Sequence, residues 1–147
     1  MRAPLLPLYT VAGVRALEAA ALRADPDVRL MERAGLAAAE RARELLGDTG
    51  RSALVLAGPG NNGGDAFEVA THLKRGFHRV DVVFAGDAGK LGPDAAAALA
   101  KWSAADGRLL QSVPGLARYD LVVDGLLGIG LARAPAGAIA ALIERAN

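Results

Sequence analysis

From Thr10 the apolar residues Val11, Val14, Leu17, Ala21 and Leu22 recur at helical spacing, with Arg15, Glu18 and Arg23 between them. The pattern predicts an amphipathic helix ending near Asp25-Pro26. A second helix is predicted from about Val28 to Leu46, with Leu30, Met31, Ala34, Ala38 and Leu45 as its apolar face. Glu32, Arg33, Glu40, Arg41 and Glu44 put opposite charges three and four residues apart on a solvated side, and Gly47 is a natural stop. The period then changes. Ala53-Leu54-Val55-Leu56-Ala57 is wholly apolar between Ser52 and Gly58, as expected of a strand buried on both faces. Beyond a turn rich in glycine and asparagine, Phe67, Val69, Ala70 and Leu73 predict a helix to about Arg75, and Val80-Asp81-Val82-Val83-Phe84 a second strand. Pro93-Asp94 opens an alanine-rich helix through Leu99 and Trp102. Leu109-Leu110 is a weak third strand, Tyr119 to Asp124 a strong fourth, and Pro135 suits the start of a last helix carrying Ile139, Leu142 and Ile143.

Strands that alternate with helices imply a parallel sheet covered on both faces. The expected fold is α/β, a Rossmann-like three-layer α/β/α arrangement with a mostly parallel sheet and an N-terminal helical extension, in a single domain over 1–147. Nothing repeats at a period of 20–50 residues. A last helix that should feed another strand leaves the apolar fourth strand near an open sheet edge. The domain is therefore expected to be incomplete at its C-terminal end.

Composition narrows the function classes. With 52% apolar and 22% charged residues the chain is not a disordered linker. Lys and Arg (17) nearly balance Asp and Glu (16) with no basic or acidic block, which removes the electrostatic case for nucleic acid or an anionic membrane as main partner. A small ligand is expected instead. No cysteine is present, and His72 and His78 are the only histidines, which excludes disulfides, thiolate metal sites and a cysteine nucleophile and argues against a histidine-rich zinc site. No apolar run approaches the ~18–20 residues of a membrane span. Arg2 before Leu5-Leu6-Pro7-Leu8 does not make a signal peptide, so a cytoplasmic protein is expected.

The candidate chemistry lies in two glycine loops. Gly58-Pro59-Gly60-Asn61-Asn62-Gly63-Gly64-Asp65 joins the first strand to its helix, and Gly58, Gly60 and Gly63 satisfy G-x-G-x-x-G in a strand–turn–helix context. Glycine lets a phosphate approach the backbone, and the following helix offers unpaired N–H groups. Asp124 closes the fourth strand and is followed by Gly125-Leu126-Leu127-Gly128-Ile129-Gly130-Leu131, a second glycine loop at a strand's C-terminal end. In the doubly wound order 3-2-1-4 the first and fourth strands are neighbours and one crevice holds both loops. A carboxylate there beside the Asn61 and Asn62 amide oxygens makes an all-oxygen cluster suited to a hard cation. Capping a turn is the alternative role for Asp124. Asp87 stands where a ribose-binding acid belongs but is equally a turn residue. Asp120, at the opposite end of its strand, is expected to be merely solvated, and Trp102 to anchor the core.

Leu30-Met31-Glu32-Arg33-Ala34-Gly35, Gly58 to Asp65, and Val123-Asp124-Gly125-Leu126-Leu127-Gly128-Ile129-Gly130-Leu131 together resemble the YjeF N-terminal domain family, the NAD(P)H-hydrate epimerases. The resemblance implies a nicotinamide cofactor hydrated on its ring, NADHX or NADPHX, as substrate, and interconversion of its R and S epimers. It implies potassium ligands at Asn62 and Asp124, a substrate lining of Asn61, Asn62, Gly63, Gly64 and Asp65, and phosphate contacts from Gly128, Ile129, Gly130, Leu131, Ala132, Arg133 and Ala134. It also implies a homodimer and coupling to an NAD(P)HX dehydratase, which in some proteins would be fused downstream. Ala66 stands where the family often has glycine, and Ile129 where threonine is usual. The family's next strand, with an aspartate-proline-serine-glycine type loop supplying the catalytic acid/base, is expected beyond Asn147. Two alternatives stay open: a non-catalytic binding module on the same fold, and another nucleotide-cofactor-binding Rossmann-like domain.

Overall fold

The computed structural model describes residues 7–147, so Arg2, Leu5 and Leu6 of the signal-peptide reading lie outside the described residues. Contacts divide the chain into two compact units, one ending at Leu30 and the other spanning Met31–Asn147. The first holds helix α1 (Val11–Ala24), which Thr10 caps by accepting the Gly13 N–H at 3.2 Å.

The second unit contains most of α2 (Leu30–Leu46), followed by β1 (Ser52–Ala57), α3 (Asn61–Arg75), β2 (Arg79–Phe84), a 3₁₀ turn (Ala88–Lys90), α4 (Pro93–Ala104), β3 (Leu109–Leu110), β4 (Leu121–Gly125) and α5 (Gly137–Ala146). All strand pairs are parallel and the order is β3-β2-β1-β4, as the doubly wound expectation required. Val55 at the centre of β1 pairs with Val82 of β2 and Val123 of β4. Every residue of β1 is buried, which explains why its sequence is apolar without alternation.

Successive β1 side chains serve opposite faces of the sheet. Val55 and Ala57 pack with Phe67 and Ala70 of α3 and Ala98 and Trp102 of α4, while Ala53 joins Ala39, Ala42 and Leu46 of α2. Leu54 and Leu56 face the other way, onto Ile139, Leu142 and Ile143 of α5. The result is three layers. Each large side chain fully buried here, such as Val55, Phe67 and Leu73, stabilises the fold by roughly 1.5–3 kcal/mol relative to exposure. Trp102 is buried as expected, and its indole N–H donates to the Arg108 carbonyl at 3.3 Å.

The structure corrects four details. The buried face of α2 is Gly35, Ala39, Ala42 and Leu46, whereas Ala34, Ala38 and Leu45 are exposed. Small residues win because a β-carbon on Gly35 would strike that of Glu68, so α2 and α3 lie too close for leucine side chains between them. Strand β4 begins at Leu121 rather than Tyr119 and runs through Gly125. Helix α5 starts at Gly137, so Pro135 precedes the Ala136 cap instead of occupying the first helical position. Asp120 is not merely solvated: one carboxylate oxygen accepts from the Arg51 N–H (2.8 Å), the Ser52 N–H (2.9 Å) and the Ser52 hydroxyl (2.8 Å).

That contact belongs to a polar clasp across the N-terminal ends of the strands. Tyr119 donates its hydroxyl proton to Asp81 at 2.8 Å, and the Arg79 guanidinium lies 5.3 Å from the Tyr119 ring centre. Burial, then the Asp81 carboxylate, pushes the Tyr119 phenol up to about 12. With the N-terminal ends tied together, the C-terminal ends carry the glycine loops.

Candidate ligand site at the strand C-termini

Strands β1 and β4 are direct neighbours, so the loops that leave their C-terminal ends leave side by side. Glycine is required by that proximity. A β-carbon on Gly58 would strike the Leu126 carbonyl, and one on Gly125 would fall 2.5 Å from the Ala66 β-carbon and 2.9 Å from the Asn62 carbonyl oxygen. The Gly58 N–H donates to the Gly125 carbonyl at 3.0 Å, and the Asn62 side-chain amide donates to the Leu127 carbonyl at 2.8 Å. A β-carbon on Gly128 would stand 3.3 Å from that of Asn62. The two loops therefore form one continuous backbone surface.

Within the first loop the glycines differ in purpose. Gly63 is held against the Gly58 carbonyl, and Gly64 against the Met31 thioether and the Ala95 backbone, so both are demanded by packing. Gly60 has nothing within 4 Å of its would-be β-carbon and ordinary extended dihedrals. It is also the N-cap of α3 and makes no side-chain cap hydrogen bond, so the first-turn N–H groups of Asn61, Asn62 and Gly63 receive no capping oxygen from it at the positive end of the helix. An oxygen of a bound anion would satisfy them.

Asp124 is exposed, and one of its oxygens accepts the Leu126 N–H at 3.0 Å, the turn-capping role. The donation from Asn62 Nδ2 to Leu127 fixes which way that amide faces, so its oxygen is left as an acceptor. Asparagine and aspartate oxygens are hard donors, the ligand chemistry that suits an alkali or alkaline-earth cation. Among the described residues no group of three or more His, Cys, Asp or Glu side chains could hold a metal, so any cation here would draw on amide and backbone oxygens as well.

Not every candidate joins this surface. Ile129 through Ala134 form an exposed segment in which the Leu131 N–H turns back to the Gly128 carbonyl at 3.3 Å, and Arg133 is solvated. Asp87 caps the 3₁₀ turn by accepting the Gly89 N–H at 2.9 Å and lies 3.6 Å from Lys90, the turn alternative. Sequence reasoning overlooked Glu68, which is buried in α3 and bound at 2.7 Å by Lys101 of α4, itself 2.7 Å from Glu32 of α2. No local pattern marks a pairing between three separate helices.

A parallel sheet in the order 3-2-1-4, with two glycine loops meeting at the C-terminal ends of the neighbouring strands β1 and β4, defines a Rossmann-like α/β protein. The chain belongs to the family of the YjeF-related protein N-terminus, which matches residues 27–147. It is 46% identical over 142 residues to NAD(P)H-hydrate epimerase of Bordetella bronchiseptica, covering 97% of this chain and 60% of that protein. To the protein of the same name from Achromobacter xylosoxidans it is 42% identical over 142 residues, covering 96% and 66%. To the bifunctional NAD(P)H-hydrate repair enzyme Nnr of Mycobacterium tuberculosis it is 41% identical over 128 residues, covering 82% and 25%. The crystal structure of the yeast protein ynu0 superposes with a TM-score of 0.75 at 22% identity, over 95% of this chain and 64% of that one, a likeness of fold. The chain thus spans less than two thirds of the length of the epimerases it matches. No helix among the described residues is long and apolar enough to cross a membrane.

Proposed function

We propose that this chain carries the ligand-holding part of an NAD(P)H-hydrate epimerase, binding ring-hydrated NADHX or NADPHX so that its R and S epimers interconvert. Relatives of that name at 46% and 42% identity support the substrate class. The observation that carries the reading is the Asn62 to Leu127 hydrogen bond of 2.8 Å, which joins the two loops into a single surface. On this reading Asn61, Asn62, Gly63, Gly64 and Asp65 line the hydrated cofactor, with the first-turn N–H groups of α3 donating to its oxygens. The exposed segment from Gly128 to Ala134 meets its phosphates when the ligand is bound, where Arg133 adds positive charge. Asn62 and Asp124 hold potassium, which when bound offsets phosphate charge. Backbone donors at the start of α3, with Arg133 following the second loop, suit a dinucleotide diphosphate, because backbone N–H groups at a helix N-terminus bind phosphate oxygen.

Coupling to a dehydratase belongs to the same proposal, supported by the bifunctional name of the mycobacterial relative. So does a homodimer, which the exposed apolar residues Val11, Leu17 and Leu22 of α1 support and sedimentation of the intact protein tests.

The deciding experiment supplies the intact protein with a mixture of R and S hydrates and an S-specific dehydratase. Without the protein, consumption stops when the S form is exhausted; with it, the R form should disappear as well. Persistence of the R form at the uncatalysed rate overturns the proposal.

A further inference from the structure

The segment Leu30 to Gly35 stood out in the sequence, yet none of its residues lies in the glycine loops. The structure gives three of them one task. A β-carbon on Gly64 would fall 2.5 Å from the Met31 sulfur, 2.6 Å from its terminal methyl and 3.0 Å from the Ala95 Cα. The first turn of α3 is thus wedged between the Met31 side chain of α2 and the backbone of α4. One turn further along α3, Glu68 is fastened by Lys101 of α4 at 2.7 Å, and Lys101 is fastened at the same distance by Glu32, the residue after Met31. Gly35, one turn on in α2, lets Glu68 pass, since any side chain there would strike it.

We infer that Met31 is a positioning residue for the ligand loop: its thioether, seated against Gly64 and braced by the Glu32–Lys101–Glu68 bridge, sets the direction in which the α3 N-terminus presents the Asn61, Asn62 and Gly63 N–H groups. This deepens the epimerase reading and rests on it for the identity of the ligand. The physical basis is that helix-terminal donors act only when aimed, and small displacements of aimed donors cost much of their effect. A flexible thioether fills an irregular notch that a side chain branched at its β-carbon would not enter. Met31 also packs against the cluster that holds Ala66 and Phe67 of α3, so its influence reaches the loop through the start of that helix.

Two measurements on the intact protein test this. In Met31→Ala, hydrogen exchange at the Gly64 to Ala66 amides should quicken by about tenfold without ligand, relative to the rest of α3, because the turn loses its support. In the coupled epimerase assay KM should rise roughly fivefold or more with kcat changed by less than about twofold, the signature of lost ground-state binding. Met31→Leu should restore both. Leu73→Ala, which empties a buried position of α3 in the cluster under Ala53, should lower the melting temperature comparably and leave KM unchanged. If Met31→Ala does not fold, Met31→Val replaces it. Unchanged local exchange, a Met31→Leu variant as impaired as alanine, or an equal rise of KM in Leu73→Ala overturns the inference. An intact wild-type protein inactive on the hydrates overturns the epimerase reading instead, and the exchange result then decides on Met31 by itself.

Discussion

Gly58 and Leu126 approach so closely that a single methyl group on Gly58 would overlap the Leu126 carbonyl oxygen. Both partners are backbone, so neither can swing aside, and the contact sits where β1 and β4 release their loops. Gly58→Ala should therefore destabilise the protein by about 1–3 kcal/mol, the usual cost of overpacking, and separate the two loops. A melting curve checks the first effect. Loss of the Asn62 to Leu127 hydrogen bond, read as a shifted Asn62 side-chain amide resonance, checks the second.

Gly60 should behave in the opposite way. Its would-be β-carbon meets nothing, and its dihedrals are those of an ordinary N-cap. Gly60→Ser supplies the missing capping oxygen and should raise stability by a few tenths of a kcal/mol. The same hydroxyl would compete with the ligand for the first-turn N–H groups, so affinity for the hydrated dinucleotide should fall by about tenfold, one charge-assisted hydrogen bond. Opposite signs for stability and binding, by melting and titration calorimetry, are the expected outcome.

This contrast shows what the sequence could and could not carry. The strand order was legible because β1 is apolar from Ala53 to Ala57 and glycine loops follow β1 and β4, two signals that reside in contiguous residues. The buried face of α2 was not, since hydropathy favours Leu45 while the close pass of Gly35 over Glu68 selects small residues, and closeness is set by the neighbouring helix. Asp120 was misread for a similar reason: its partners lie 68 and 69 positions away, and only the β1–β4 pairing brings them together. The glycines of the first loop looked equivalent in sequence. In space Gly58, Gly63 and Gly64 are packing requirements, and Gly60 alone among the four is left without a packing reason.

Lys101 joins α4 to two other helices, and Glu68, at 4% exposure, depends on it for charge compensation. Lys101→Met keeps the stem but leaves that carboxylate unpaired. Because Lys101 itself is about one third exposed, the cost should lie below that of a fully buried pair, about 2 kcal/mol, with partial recovery in Lys101→Met/Glu68→Gln. Burial works to lower the Lys101 pKa, but the hydrogen bonds it donates to Glu32 and Glu68 outweigh it and hold the ammonium above its ordinary 10.5. A raised folded-state value means that the stabilisation is complete below pH 10.5 and is lost as pH rises through the folded value. The gap between wild type and Lys101→Met in thermal melts should close as pH rises on that alkaline side.

Asp120 gives the acidic counterpart. Hydrogen bonds from the Arg51 N–H and from the Ser52 hydroxyl and N–H hold its carboxyl below the ordinary 3.8. A depressed folded-state value means that its contribution is present above pH 3.8 and is lost as pH falls through the lower folded value. Asp120→Asn should lower the melting temperature at pH 7, since an amide brings hydrogens toward three donors, and the difference from wild type should shrink on acidification below pH 3.8. A difference that stays constant from pH 7 to pH 3 would mean that the clasp acts through shape and not charge.

Asp124→Asn separates the two roles of the residue that closes β4. The amide retains an oxygen that can accept the Leu126 N–H, so the turn at 3.0 Å is preserved and, with Asp124 exposed, the melting temperature should move little. What the change removes is the negative charge at the C-terminal end of β4. If that charge holds potassium, the variant should lose at least about tenfold in epimerisation of the hydrated cofactor, a transition-state loss of about 1.4 kcal/mol. The wild-type rate should rise with potassium concentration while the variant stays flat, because one neutral oxygen in place of a carboxylate attracts a hard cation weakly. Equal activity of the two proteins across a potassium titration would take Asp124 out of ligand binding. A fall in melting temperature as large as the fall in activity would leave it only the cap of the loop that follows β4.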